Sequence, residues 1–186
     1  GYCDATAYAT STDGIHWEKP TLDVVAGTNL VHTSRRDSGT MWLDLEEKDL
    51  ERRYKMFLYD SRGGMSIHFS PDGIHWKEAG RTGPTGDRST VHYDAFRKVW
   101  VYGIREYLPQ TVGRCRRYWE HPDVLAGAKW AAGEPPMWVG ADDADPRRDD
   151  LQTPCQLYNL DCVAYESLTL GLFTIWRGQP KDRAKP

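Results

Sequence analysis

Apolar residues in this chain come in short runs that alternate with polar ones, separated by turn residues every roughly 8–12 positions. That period of two predicts antiparallel strands, since successive side chains of a strand point to opposite faces. The clearest runs are Arg53–Tyr59 and Val99–Arg105, both rich in aromatics. Helix signals are few, and only Asp123–Trp130 could form a short turn.

The strand pattern repeats. Ser11-Thr-Asp-Gly-Ile-His-Trp17 recurs as Ser70-Pro-Asp-Gly-Ile-His-Trp76, an offset of 59. Asp-Gly between β-forming runs predicts a tight turn, because glycine takes positive φ without steric cost. A second element, Asp-x-x-Thr-apolar-x-x-Asp, occurs at Asp37–Asp44 and at Asp87–Asp94, and an aromatic strand follows each copy. Weaker third copies lie at His121–Trp130 and Asp161–Glu166. Units of about four strands in roughly 50–60 residues predict β-propeller blades. The expected division is the end of one blade at 1–30, blades at 31–80 and 81–140, and a linker with the start of another at 141–186. Three blades are too few to close a ring, so the chain reads as an internal piece of a longer protein, with an open three-blade solenoid as the alternative.

Composition narrows the function. The 186 residues carry 24 Lys+Arg against 27 Asp+Glu, a net charge of −3, which argues against a nucleic-acid binder. Eight Trp and ten Tyr suit a β-rich fold with a sugar-like or apolar ligand surface. The longest apolar stretch, Leu168–Trp176, is broken by Thr169, Gly171 and Thr174, and nothing approaches a membrane span. Cys3, Cys115, Cys155 and Cys162 form no CxxC pair, so they read as free thiols or, in an exported protein, as contributing one disulfide. No GxSxG, P-loop, GxGxxG or HExxH string is present. The acidic stretch 141–150 could offer oxygens to calcium but lacks the spacing of a calcium loop, so an exposed loop is expected and no cofactor is implied.

The segments at 11–20, 70–77, 86–106 and 158–178 resemble bacterial glycosidase-like proteins of the five-bladed propeller superfamily of invertases, levansucrases and arabinanases. The resemblance implies an all-β, partial five-bladed propeller acting on a carbohydrate, and favours a periplasmic or secreted location. In that superfamily, inner strands of successive blades bring three carboxylates to the ring axis.

Glycoside hydrolysis needs carboxylates on both sides of the scissile bond. Asp37 and Asp87 occupy equivalent repeat positions, so both are expected at one axial pocket. Glu166, flanked by apolar residues, is the expected third member, because desolvation favours the neutral carboxyl that a general acid requires. A turn cap, an inter-blade hydrogen bond or a buried pair with an arginine are the plainer readings of these acids. Arg36, Arg88, His92, Arg105 and Asp161 are candidate substrate contacts; salt bridges inside a blade and a buried structural histidine are the alternatives. Asp13 and Asp72 resemble the structural Asp-box of sialidases and are expected to cap turns, with Trp17 and Trp76 packing on the outer strand. Asp44 and Asp94 are expected to serve turns. A non-catalytic carbohydrate-binding or scaffolding propeller is the rival to a hydrolase.

Overall fold

The computed structural model describes residues 3–151 and 153–179. The extreme ends of the predicted segments, residues 1–2 and 180–186, lie outside the described residues, as does residue 152. The described chain is all-β, in four antiparallel sheets, none of them closed. Strands β1 (Thr6–Ala7) and β2 (Leu30–His32) form a small sheet. Strands β3 (Ser38–Leu43), β4 (Tyr54–Tyr59), β5 (Met65–Ser70) and β6 (Lys77–Arg81) form a four-stranded meander. A second meander holds β7 (Thr90–Asp94), β8 (Val99–Leu108), β9 (Gly113–His121) and β10 (Met137–Gly140). Strands β11 (Gln156–Tyr165) and β12 (Leu168–Trp176) make a long hairpin. The two predicted aromatic strands are β4 and the first part of β8, each second in its meander.

The alternation fixes which faces meet. In β5, Met65, Ile67 and Phe69 belong to the main apolar cluster, together with Phe57 of β4. Val91 of β7 and Trp100, Tyr102 and Ile104 of β8 complete that cluster from the other meander. The core therefore lies between the two four-stranded sheets. Trp100 packs edge-to-face on Trp42 at 6.3 Å between centroids, and Tyr102 on Trp130 at 5.1 Å. Such aromatic pairs add about 0.5–1.5 kcal/mol each beyond the area they bury.

One lysine sits on this apolar side. Lys55, 1% exposed, donates to Asp44 at 2.9 Å, to Glu47 at 3.2 Å and to the Arg52 carbonyl at 2.8 Å, and lies over the Phe69 and Trp100 rings. A buried ammonium needs such a full set of partners, because an unpaired one costs several kcal/mol. Asp44 also accepts from the Glu46 amide, and Asp94 caps Phe96 and Arg97, so both close the strand ends they follow.

The two Asp-Gly turns are the same object. In each, the Asp Oδ1 accepts from the Ile and His amides at 2.8 Å, and the indole donates to the Gly carbonyl. Gly14 and Gly73 take φ of +74° and +77°. Their surroundings differ, because His75 also reaches Asp23 at 3.0 Å from the 21–28 loop. The expected packing of both tryptophans is thus half right: Trp76 is partly buried, but Trp17 is 59% exposed, since no strand covers the first turn. The segment His121–Trp130 is not a third Asp-Gly hairpin. Asp123 caps Leu125 and Ala126 in a long β9–β10 connection, and Trp130 is buried. The cysteines of the described chain are free thiols; Cys115 and Cys155 are buried, Cys162 is half-buried and Cys3 is exposed.

The polar face of β5 packs toward β2, where His68 meets His32 edge-to-face at 4.6 Å. His68 is buried and hydrogen-bonded to the Ser66 hydroxyl. Burial, reinforced by the neighbouring His32, pulls its pKa from 6.5 down to about 4. The unfolded chain therefore binds the His68 proton first as pH falls. Stability should be full above about pH 6.5 and should decline by about 3 kcal/mol toward pH 4. Urea unfolding of the wild-type chain at several pH values should show this acid limb. His68→Asn should flatten it, and equal wild-type stability at pH 4 and pH 7.5 would contradict the assignment.

Candidate functional site

Three sheets meet where β3 and β7 begin and β11 crosses them. The Asp37 amide donates to the Tyr59 carbonyl at 3.0 Å, one step beyond the β3–β4 ladder, which fixes Asp37 at the mouth of β3. The Arg88 amide donates to the Ser38 hydroxyl at 2.9 Å, joining the two meanders. The Thr90 hydroxyl donates to the Leu160 carbonyl at 3.1 Å, joining β7 to β11. Gly39 lets the strands approach, since a Cβ there would stand 2.7 Å from a Leu58 methyl carbon.

A cavity of about 220 Å³ lies at this junction, lined by Asp37, Gly39, Arg88, Thr90, Asn159 and Asp161, among others. The Asp37 side chain is 8% exposed, and its Oδ2 lies 3.5 Å from Arg88 Nε. The Arg88 guanidinium also sits 5.9 Å from the centre of the Tyr158 ring. Asn159 Oδ1, a buried acceptor, makes no hydrogen bond, and Arg88 Nε faces Asp37 Oδ2 as an ion pair longer than a hydrogen bond. Buried groups are nearly always paired, so the unmatched Asn159 acceptor beside this ion pair marks a place suited to a polar ligand. A larger hollow of about 500 Å³ lies between the β8–β9 turn and the 141–155 segment. The Asp37 cavity stands out by its unmatched buried acceptor, not by its size.

Behind the cavity lies Arg116 of β9, with no solvent exposure. It donates to the carbonyls of Cys115 at 3.1 Å, Arg88 at 3.2 Å and Tyr158 at 2.9 Å. Burial, with the Arg105 charge nearby, lowers its pKa to about 10. Its Nε makes no hydrogen bond.

Of the predicted residues, Asp37, Arg88 and Asp161 converge on the cavity. Asp87 does not line it. Arg88 adopts φ of +59°, and the chain turns there so that Asp87 pairs with Arg105 at 3.1 Å while Arg88 faces Asp37. Repeat equivalence therefore does not carry Asp87 into the same pocket. Glu166 is a clearer correction. It is exposed, at φ +52°, in the two-residue turn between β11 and β12, not on an inner strand. Its apolar sequence neighbours are themselves exposed, with Tyr165 at 59% and Leu168 at 61%, so they desolvate nothing. Arg36 donates to Thr6 Oγ1 at 2.9 Å and exchanges backbone bonds with Cys3, a structural role at the chain's first sheet. His92 is buried inside the second meander, where burial lowers its pKa. Arg105 lines a different cavity.

Asn159 and Arg116 escaped sequence reasoning. Asn159 had the weak signal of an amide two residues before Asp161 on one strand. In the 141–150 loop the acids are taken up locally: Asp142 and Asp145 by backbone amides, Asp143 by Arg147, and Asp150 by Arg148. Among the described residues no three His, Cys, Asp or Glu side chains form a metal-holding group. No helix among them is long and apolar enough to cross a membrane. Comparison with protein-family models, with curated proteins and with solved structures finds no match for the chain.

Asn159→Leu removes the unmatched buried acceptor while nearly keeping shape. It should raise stability by about 1 kcal/mol, or Tm by about 2–4 °C. A thermal melt checks this; a clearly lowered Tm would mean that Asn159 carries a structural bond.

Proposed function

We propose that the chain acts on a carbohydrate as a glycoside hydrolase-like protein, with its site in the Asp37 cavity. The observation that carries the proposal is the buried Asn159 acceptor without a hydrogen bond, lining a cavity that also holds the Asp37–Arg88 ion pair. A sugar hydroxyl both donates and accepts, so one hydroxyl could donate to Asn159 Oδ1 while a neighbour accepts from the Arg88 guanidinium. Two carboxylates, Asp37 and Asp161, line the same space from different sheets. In this reading Asp37, with the Arg88 cation beside it, stabilises positive charge developing at the anomeric carbon, and Asp161 supplies the second carboxyl that glycoside cleavage requires.

The fold reading goes with it. Two successive antiparallel meanders of four strands, each begun by an Asp-x-x-Thr element, support propeller blades of the invertase, levansucrase and arabinanase type. The rival reading, a carbohydrate-binding module without catalysis, gains support from Glu166, which lies in an exposed turn away from the cavity.

The test separates the two. Reducing-sugar release from a panel of plant and bacterial polysaccharides by the full chain should fall by about 10²-fold or more in Asp37→Asn and in Asp161→Asn. Both variants should keep the wild-type melting profile to within a few degrees. Glycan binding without release in the wild type would favour the binding module. Failure to bind any member of the panel, with Asn159→Leu behaving as wild type, would remove the carbohydrate reading.

A further inference from the structure

The two Asp-Gly turns differ in one partner, and that partner changes what the histidine can do. In the first turn His16 Nδ1 meets one carboxylate, Asp13, at 2.7 Å. In the second, His75 Nδ1 meets Asp72 at 2.7 Å, and Nε2 meets both oxygens of Asp23, at 3.0 and 3.2 Å. A carboxylate only accepts, and a neutral imidazole carries a single N–H. His75 can therefore make both of its bonds only as the imidazolium, whereas the single bond of His16 needs no charge.

Asp23 belongs to a loop, 21–28, that is closed on itself. The Leu22 amide donates to the Thr28 carbonyl at 2.7 Å, and the Thr28 amide and hydroxyl donate to the Val25 carbonyl at 3.1 and 2.8 Å. The loop runs into β2, and Asn29 beside it donates to the Tyr8 carbonyl at 2.6 Å. These bonds shape the loop without tying it to the first meander. The tie is Asp23 to His75, across 52 residues of sequence. Beside it lies a hollow of about 360 Å³, lined by Val24, Val25, Val31, His32, His75 and Trp76, among others. The loop is thus one wall of an apolar hollow, and His75 pins that wall.

We propose that His75 is a proton-operated latch: as the imidazolium it pins the 21–28 loop to the first meander, and on losing its proton it frees the loop and opens the hollow. The latch is independent of the carbohydrate reading. The titratable and charged groups around His75 are Asp72 in its own turn, Asp23 on the loop, and Lys77 of β6 and His32 of β2, which line the same hollow. Lys77 is turned toward Glu51, at 3.8 Å. Burial holds the His32 pKa below 6.5, so that ring is neutral while His75 titrates. Asp72, and after it Asp23, raise the His75 pKa above 6.5. The latch is therefore closed below about pH 6.5 and is lost as the pH rises through that raised value. The His68 limb lies at the opposite, acid end.

Nitrogen-15 NMR of the imidazoles and backbone of the full chain, from about pH 5.5 to about pH 9, tests this. At the acid end both ring nitrogens of His75 should be protonated. The backbone amides of residues 23–26 should shift with the midpoint of the His75 ring. Their order parameters should fall above that midpoint, from about 0.85 toward 0.6. Asp23→Asn, at an exposed position, should lower the His75 midpoint by about 0.5 in pH and remove the pH response of those amides. It should leave the His16 ring signals unmoved. His75→Gln, which takes up no proton, should leave the loop loose at every pH. Loop amides that titrate with a different midpoint, order parameters that stay high through the His75 midpoint, or a His75 midpoint that Asp23→Asn does not move would each overturn the proposal.

Discussion

The junction of the three sheets depends on one guanidinium. Arg116 is excluded from solvent and spends its hydrogen bonds on main-chain carbonyls of β9, β11 and the Arg88 turn. A planar fork can serve several at once, which a lysine ammonium cannot do in the same geometry. Removing it would leave buried acceptors unmatched, each costing about 1–3 kcal/mol. It would also remove the bond that holds the Arg88 carbonyl. The residue that never touches the cavity thus sets the position of the one that does.

The larger plan follows from burial on both sides of β5. Its odd positions meet the second meander, His68 on its even face meets His32 of β2, and every residue of the strand is buried. The odd face is apolar and the even face carries Ser66, His68 and Ser70. A strand covered on both sides would ordinarily be apolar throughout. The polar side here is satisfied by short local bonds and a histidine pair, which makes the contact between β2 and the first meander polar in character.

Much of this was legible in the sequence, for reasons that can be named. The aromatic runs at 53–59 and 99–105 announced β4 and β8, because alternation reads a strand's two environments directly. The Asp-Gly turns were legible because all their bonds are local: Ser, Asp, Gly and Trp within seven residues form them alone. Asp37, Arg88 and Asp161 share one cavity, while Asp87 and Glu166 lie outside it. A single left-handed residue, Arg88, redirects Asp87, and no propensity announces an arginine at positive φ. For Glu166, apolar neighbours in sequence do not amount to a buried setting. In a two-strand ribbon those neighbours face outward, with Leu172 at 84% and Phe173 at 62% exposure. Arg116 was invisible because its partners are carbonyls 28 and 42 residues away, and backbone acceptors leave no trace in composition.

Lys55 has a chemical corollary. Its amine lies at 1% exposure inside a cage of Asp44, Glu47 and the Arg52 carbonyl, with Phe69 and Trp100 closing it off. An acylating reagent must reach the amine, and here the approach is closed while the sheets stay packed. Lys19, Lys77 and Lys98, on the surface, carry no such protection. The rate at which Lys55 alone takes up such a reagent would therefore count openings of the core itself, so the chain carries a covalent clock for its own global unfolding.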